Sequence, residues 1–334
     1  MGSPDERLIA WVAVVLVYGG RVEPLSLPLG IRRVTMPLPT RPGHVHAYLV
    51  PHDNGWLVVD TGLGLPDAKE RWADELAGLD GPVTAIFVTH FHPDHVGAAL
   101  DLVELTGAPV LQGRVDLAQC RRVWKGEDWP EILTGWFSRH GAPPEVTAEL
   151  IESGSYWTPF IRFVDDAEPV DPGDLVAGWE VVAAPGHADG QLMLLRDGVL
   201  IAADHVLDPI TPTVGLWPES APDPLGDYLT ALETVVELAP VVALPGHGEP
   251  IGDPAGRARE ISEHHDERLA EVVSYLERSP HTAFDVSLPL FGAELKPAAR
   301  RFAIAEALSH LEFLALRGRA ERQESTDTVS YTAP

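Results

Sequence analysis

The most constraining feature of the chain is a short polar segment that follows directly on an apolar one. Residues 83–88 read Val-Thr-Ala-Ile-Phe-Val, which predicts a buried strand, and residues 89–97 read Thr-His-Phe-His-Pro-Asp-His-Val-Gly. Imidazole nitrogens and carboxylate oxygens are the ligands that zinc and similar divalent ions prefer. In a turn leaving a strand, the first two histidines can point to one side and the Asp-His pair to the other, so one loop can serve two ions. The four side chains are His90, His92, Asp94 and His95.

Three more residues of ligand type follow apolar strands further along the chain. His187 stands in Pro-Gly-His after Val-Val-Ala-Ala, Asp204 ends Ile-Ala-Ala-Asp, and His247 stands in Pro-Gly-His-Gly after Val-Val-Ala-Leu. Taken alone, each is read as a satisfied loop residue, but with the first segment they complete a two-metal set. In that set one ion is held by His90, His92 and His187, the second by Asp94, His95 and His247, and Asp204 bridges both.

Asp60 is the candidate for holding one of these imidazoles in place. It ends Trp-Leu-Val-Val-Asp and precedes Thr-Gly. A carboxylate beside a metal-binding histidine accepts the proton of the other ring nitrogen, which fixes the orientation of the ring. The local alternative is an aspartate that caps the turn after a strand.

Strands and helices are mixed through most of the chain, which predicts the α/β class with sheets covered by helices. The predicted strands span residues 46–50, 56–59, 83–88, 180–184, 191–195, 200–203 and 241–244, and the predicted helices span 66–79, 97–105 and 225–238. Residues 113–170 form a long insert with many aromatic side chains, namely Trp124, Trp129, Trp136, Phe137, Tyr156, Trp157, Phe160 and Phe163.

The chain divides into three predicted segments. Residues 1–20 form an extension in which the apolar run 8–18 is predicted as a buried strand, because it is too short for a membrane span and lacks the basic start of a signal peptide. Residues 21–254 form the main domain. Residues 255–334 are predicted as a small winged-helix-like domain, with long helices at 255–277 and 298–316, a short helix between them and a hairpin near the end. The leucines of its last helix predict packing or formation of a homodimer.

Charge and cysteine content limit the partners and the compartment. Lys and Arg total 24 against 50 Asp and Glu, a net charge of −26. A surface this negative repels phosphate backbones and anionic lipids, so we predict neither a nucleic acid nor a membrane as partner. The single cysteine, Cys120, rules out an internal disulfide and fits a cytoplasmic location.

The motifs together resemble the metallo-β-lactamase-fold hydrolases. The matching segments, in the order of that family, are Val-Val-Asp-Thr-Gly, Thr-His-Phe-His-Pro-Asp-His-Val-Gly, Pro-Gly-His-Ala-Asp-Gly-Gln, Ala-Ala-Asp-His and Pro-Gly-His-Gly, and they span roughly residues 21–254. The resemblance implies a four-layer αβ/βα sandwich with two metal ions at one edge of its two sheets. Zinc is the expected metal, with manganese and iron as alternatives.

Within that superfamily, the chain is most similar to glyoxalase II and to β-lactamase-like thioesterases. Residues 43–49 resemble their early strand, residues 204–207 resemble their bridging-aspartate segment, and the helical tail matches the second group better. The basic cluster with which glyoxalase II grips glutathione has no counterpart here.

These features predict a dinuclear-metal-dependent hydrolase of a thioester, lactone or related carboxylic ester. A hydroxide bridging the two ions is expected to attack the carbonyl carbon of a small-molecule acyl substrate. Asp94 is predicted to orient this hydroxide and relay its proton. His205 is predicted as a second catalytic residue, with a packing role as the alternative. The aromatic insert predicts a pocket for an apolar acyl part, unless its rings only form the insert's own core.

Three other functions remain open at the level of sequence. The same fold supports metal-dependent nucleases or phosphodiesterases, although the charge of −26 weighs against them. It also supports iron-dependent persulfide dioxygenases. The third alternative is a non-enzymatic binding module, against which the intact set of ligand-type residues argues.

Overall fold

The computed structural model describes residues 27–277 and 279–334. The predicted extension over residues 1–20, with its strand at 8–18, lies outside the described residues. Within the described part of the chain, no helix is both long and apolar enough to cross a membrane.

The first sheet has six strands, whose spatial order follows their order in the chain. They are β1 (Arg32–Pro37), β2 (His44–His52), β3 (Gly55–Val59), β4 (Val83–Val88), β5 (Val110–Gly113) and β6 (Glu168–Val170). The first three pair antiparallel and the last four run parallel. Parallel neighbours need crossover connections, which contain α1 (Ala68–Ala77), α2 (Pro93–Val96), α3 (Ala99–Thr106), α4 (Arg114–Gln119), α5 (Trp129–Arg139) and α6 (Pro144–Ser155).

The second sheet has five strands in the order β11-β10-β9-β8-β7. They are β7 (Leu175–Val176), β8 (Trp179–Ala183), β9 (Leu192–Arg196), β10 (Val199–Ala203) and β11 (Val242–Pro245). β10 and β11 are parallel and are connected through α7 (Pro224–Leu238), whereas the other neighbours are antiparallel. Parallel pairing brings the carboxyl ends of β10 and β11 to the same edge, as it does for β3 and β4.

Three apolar clusters show that the sheets and helices form four layers. Phe87 of β4 and Ile201 of β10 lie in the cluster between the sheets. Their neighbours Ile86 and Leu200 point the other way, into clusters covered by α1 and α3 on one side and by α7 on the other. Alternate side chains of a strand point to opposite faces, so each sheet is buried on both sides. The expected four-layer αβ/βα sandwich is therefore confirmed.

The carboxy-terminal region packs onto the outer side of the second sheet. It contains α8 (Pro254–Leu276), α9 (Ala283–Phe291), α10 (Pro297–Leu316) and a hairpin of β12 (Glu321–Glu324) and β13 (Val329–Thr332). Leu308 and Leu311 of α10 share one apolar cluster with Met193 and Leu200 of the sandwich. The region thus shares a core with the sandwich, and a domain boundary near residue 254 stays a prediction.

One predicted helix begins earlier than expected. The sequence predicted a helix over residues 97–105, but the chain already turns helical at Pro93 in α2, before α3. Proline is favourable in the first turn because its missing N–H would have no partner there. Asp94 and His95 therefore lie on a helical turn and not in an open loop.

Candidate metal centre

The histidine-rich segment leaves the carboxyl end of β4 and turns directly into α2. His90 and His95 are fully buried. His92 has extended backbone angles and stands immediately before the first turn of α2. The strand end and the helical turn together fix where these side chains point.

All seven side chains predicted as metal ligands converge at one edge of the two sheets. Their ligand atoms form three overlapping groups, and within each group all atoms lie within 4.8 Å of one another. The groups are His90, His92 and His187; His90, His95 and Asp204; and Asp94, His95 and His247. These seven side chains are called the metal cluster below.

Asp204 lies at the centre of the metal cluster. The distances from its Oδ2 to the Nε2 atoms of three histidines are 3.4 Å (His95), 3.6 Å (His187) and 3.2 Å (His247). It is the only carboxylate of the cluster that contacts histidines of both outer groups. This is the position that a bridging carboxylate requires.

Four histidines of the cluster are held by a hydrogen bond at their outer ring nitrogen. Nδ1 of His95 lies 2.8 Å from the Asp60 carboxylate, as the sequence predicted for an orienting partner. The Nδ1 atoms of His187 and His247 each lie 2.7 Å from a backbone carbonyl, and Nδ1 of His90 lies 3.0 Å from the Thr89 hydroxyl. Such bonds fix ring orientation and leave Nε2 facing the centre.

The inward-facing atoms lack the partners that buried polar atoms normally have. Nε2 of His90, His95 and His187 and Oδ1 of Asp204 are buried, and none of them has a hydrogen-bond partner among the described residues. Buried polar groups are almost always paired, and an unpaired one is costly. Imidazole nitrogens and carboxylates arranged in this way fit divalent cations, which would satisfy these atoms together.

The electrostatics differ between the two halves of the cluster. Burial lowers the pKa of His92 to about 3 and also lowers that of His187, so both are neutral at pH 7, the form that binds metals. Burial also opposes the charged form of His247, but the carboxylates of Asp204 and Asp94 outweigh it and raise its pKa to about 10. Both carboxylates are anions at neutral pH and attract cations.

Two residues that sequence reasoning missed support the geometry of the cluster. Asp116, at the start of α4, is buried and accepts backbone N–H groups of Phe91 at 2.8 Å and Gly190 at 2.7 Å. It thereby ties the loop of His90 and His92 to the loop of His187. Gly246 is the second, because a Cβ there would overlap Asp204 Oδ1 and lie 2.8 Å from His95 Cε1. An acid in a first helical turn and a Pro-Gly pair give no sequence signal of such roles.

His205 belongs to none of the ligand groups of the metal cluster. Its side chain is fully buried, its ring packs 5.1 Å from the Tyr228 ring, and neither ring nitrogen has a partner among the described residues. Burial lowers its pKa to about 4, so it is neutral at pH 7. This position favours packing over contact with a substrate, and a catalytic role for His205 stays a prediction.

A cavity of about 340 Å³ opens beside His92 and His187. It is lined by rings of the insert and of the following loop, together with one charged and one aromatic side chain of α10: Trp124, Trp129, Trp157, Trp217, Arg301 and Phe302. This cavity is called the aromatic pocket below. Some aromatic residues of the insert line this cavity, and others, including Phe137, lie in the apolar core.

Comparisons with known proteins agree with this architecture. The family model described as Metallo-beta-lactamase superfamily matches residues 40–247, and one described as Metallo-beta-lactamase-like, C-terminal domain matches residues 269–332. The chain belongs to the metallo-β-lactamase superfamily. This places it among the metal-dependent hydrolases of that fold.

Relatives share both parts of the chain. A metallo-β-lactamase family protein of Thermus thermophilus is 32% identical with a TM-score of 0.80, over 92% of this chain and 99% of that one. A β-lactamase domain protein of Burkholderia ambifaria is 29% identical with a TM-score of 0.82, over 91% and 92%. The probable metallo-hydrolase YqjP of Bacillus subtilis is 26% identical over 84% of this chain and 91% of its own length.

Proposed function

We propose that the protein is a dinuclear-metal-dependent hydrolase of a thioester, lactone or related carboxylic ester. One cation would be held by His90, His92 and His187, the second by Asp94, His95 and His247, with Asp204 between them. The observation that carries this proposal is the set of buried, unpartnered ligand atoms that face one another beside a mostly apolar pocket. Zinc fits this donor set, as do manganese and iron.

Different residues of the metal centre would have different roles in hydrolysis. When bound, two divalent cations supply Lewis acidity for the carbonyl oxygen and lower the pKa of water. Asp94 is the more exposed of the two cluster carboxylates, with 23% of its side chain accessible against 7% for Asp204. Its carboxylate is therefore the better placed of the two to accept a proton from water. Asp60 keeps the His95 ring in position through the bond at Nδ1.

The aromatic pocket accounts for the choice of substrate class. Its volume of about 340 Å³ and its tryptophan walls suit an apolar group attached to the scissile carbonyl. Carboxylates of Glu127, Asp189 and Glu219 also line it. A polyanionic nucleic acid would meet these charges, so a carboxylic ester is favoured over a phosphodiester. The absence of a nucleic-acid partner, the homodimer and the cytoplasmic location stay predictions.

The test is hydrolysis of a panel of acyl thioesters, lactones and aryl esters by the full chain loaded with zinc, manganese or iron. We expect cleavage of at least one class, loss of metal and of activity in His92→Ala, and no loss in His52→Ala. His52 is a matched control because it bonds Thr84 at 2.7 Å, away from the cluster. Full activity in His92→Ala would contradict the metal mechanism, and oxygen uptake with bound iron would favour the dioxygenase alternative.

A further inference from the structure

Arg301 stands out among the side chains that line the aromatic pocket. It lies on α10, and its Nε atom is buried without a hydrogen-bond partner. Among the described residues, it is the only arginine that is not exposed and has neither a hydrogen bond nor an ion pair. A guanidinium with five donors and no acceptor is therefore left open at the pocket.

The preceding residue shows that this state is specific to the pocket. Arg300 is also buried, but its guanidinium donates to the backbone oxygen of Ser287 at 3.0 Å and to its hydroxyl at 3.1 Å, and to the Gly292 carbonyl. Neighbouring arginines on one helix point in different directions. Arg300 uses its donors to bind Ser287 and Gly292, whereas the guanidinium of Arg301 has no hydrogen-bond partner among the described residues.

The guanidinium of Arg301 is positioned by packing against its neighbours and not by hydrogen bonds or ion pairs. It passes close over Gly154 of α6, where a Cβ would lie 2.6 Å from Cζ and 2.8 Å from Nη2. Its other neighbour is the ring of Trp217, whose centroid is 5.8 Å from Cζ. Both neighbours also line the pocket, so the cation is presented to the cavity.

The Arg301 guanidinium is positively charged at neutral pH. Burial lowers the pKa of the Arg301 guanidinium to about 10, which still leaves it protonated at pH 7. Of the three acidic side chains that line the pocket, Glu127 is exposed and the other two accept hydrogen bonds from other groups. Glu219 accepts from Arg122 at 3.0 Å, and Asp189 accepts from Gln119 at 2.7 Å and from the Ala221 amide at 3.0 Å. A desolvated cation without a partner is costly, and an anion in the pocket would remove that cost.

We propose that Arg301 is a specificity-determining residue that binds a carboxylate carried by the substrate in the aromatic pocket. This inference rests on the proposed ester hydrolysis for the identity of the reacting group. A guanidinium binds a carboxylate through two parallel hydrogen bonds. One unpaired guanidinium matches a single negative charge, so a carboxylate is favoured over a phosphate dianion. The preferred substrates are therefore esters or thioesters with an apolar body and a distal carboxylate.

The test compares matched substrates in the metal-loaded full chain. The probes are 4-nitrophenyl monoesters of dicarboxylic acids from succinate to suberate, each paired with its uncharged methyl ester. At the best chain length we expect kcat/KM to favour the acid by about 10- to 100-fold, the range of a charge-assisted bidentate contact. In Arg301→Met this ratio should fall to about one. In Arg301→Lys, which keeps the charge but cannot form two parallel hydrogen bonds, the ratio should be intermediate.

The control is Arg317→Met, at the carboxyl end of the same helix. Arg317 pairs with Asp223 at 2.9 Å and does not line the pocket, so this variant keeps the full ratio. Equal rates for acid and methyl ester at every chain length in the wild type would overturn the inference. So would an unchanged preference in Arg301→Met.

A binding measurement separates this inference from the proposed function. Calorimetry on the same metal-loaded protein compares 5-phenylpentanoate with 5-phenylpentanamide. Tighter binding of the carboxylate that is lost in Arg301→Met supports the inference even if no ester is cleaved, in which case the proposed function alone fails. Binding of neither probe, or equal binding of both, overturns the inference whatever the enzyme hydrolyses.

Discussion

The metal cluster and the aromatic pocket lie side by side but are built in opposite ways. Four of the five histidines in the cluster have their outer nitrogen fixed by a hydrogen bond. The pocket is lined by segments that range from residue 91 to residue 302, and its guanidinium has no partner in the described part of the chain. The cluster is thus ordered mainly by hydrogen bonds at its ring nitrogens, whereas the guanidinium in the pocket is positioned by packing. Changes in the cluster should decide whether any substrate reacts, and changes in the pocket should decide which one.

The largest effect should come from the centre of the cluster. Asp204→Ala removes the oxygen that lies between three imidazoles, so we expect loss of bound metal and a fall in kcat/KM of about 1,000-fold or more. Metal content by elemental analysis and ester hydrolysis measure this. Asp208→Ala, four residues on and exposed, is the control. A variant that retains two metal ions would show that Asp204 is not needed to hold them.

A smaller loss of metal affinity or activity is expected from a change at Asp60, which contacts the cluster residue His95. In Asp60→Asn the amide can no longer accept from both His95 Nδ1 and the Thr89 backbone N–H. Asparagine tolerates the positive φ of 60° at this position. Loss of such an orienting bond should weaken metal affinity or activity by about 10- to 100-fold, measured by titration with a metal chelator. The exposed Asp53→Asn should behave as wild type, and an equally unaffected Asp60→Asn would contradict the orienting role.

A change in the pocket should separate binding from metal chemistry. Trp157→Ala removes a ring that lines the cavity, so KM should rise by about 10-fold because apolar contact with the substrate is lost. Metal content should not change. Tyr156→Ala is the adjacent control, since its side chain is 64% exposed and does not line the pocket. Loss of metal in Trp157→Ala would contradict the expectation that changes in the pocket leave metal binding by the cluster unaffected.

The smallest effect concerns the helix that carries Arg301. Burial, partly opposed by the charge of Arg268, raises the pKa of Glu306 on α10 to about 8. The folded chain then holds this proton while the unfolded chain has lost it, so this carboxyl makes stability fall as pH rises from about 4.5 to about 8. Denaturant unfolding should show Glu306→Gln more stable than wild type by on the order of 1 kcal/mol at pH 8 and equal at pH 4. The exposed Glu263→Gln should show no such difference, and a gain that is independent of pH would contradict this explanation.

The sequence predicted the sandwich well where a strand has a clear apolar pattern. β4 matches its prediction because a strand buried on both faces reads as a continuous apolar run. β1 was missed, since it begins with Arg32 and Arg33 and buries only alternate residues. The short β6 and β7 carry too few residues to show any period.

The same contrast holds for the site. The seven cluster residues could be grouped because four of them stand close together in residues 90–95 and the other three each follow an apolar segment that predicts a strand. Asp116 could not be found, because its partners are backbone amides of two other loops. Arg300 and Arg301 are identical neighbours in the sequence, and only the packing of Gly154 and Trp217 around the second one distinguishes them.

The core that α10 shares with the second sheet has a thermal consequence. Leu308 and Leu311 lie in one continuous apolar cluster with residues of the sheet that carries Asp204 and His247. Heating should therefore unfold the carboxy-terminal region and the second sheet in a single cooperative transition. If the protein is the proposed ester hydrolase, it should have no temperature range in which it still cleaves esters but has lost its preference between them.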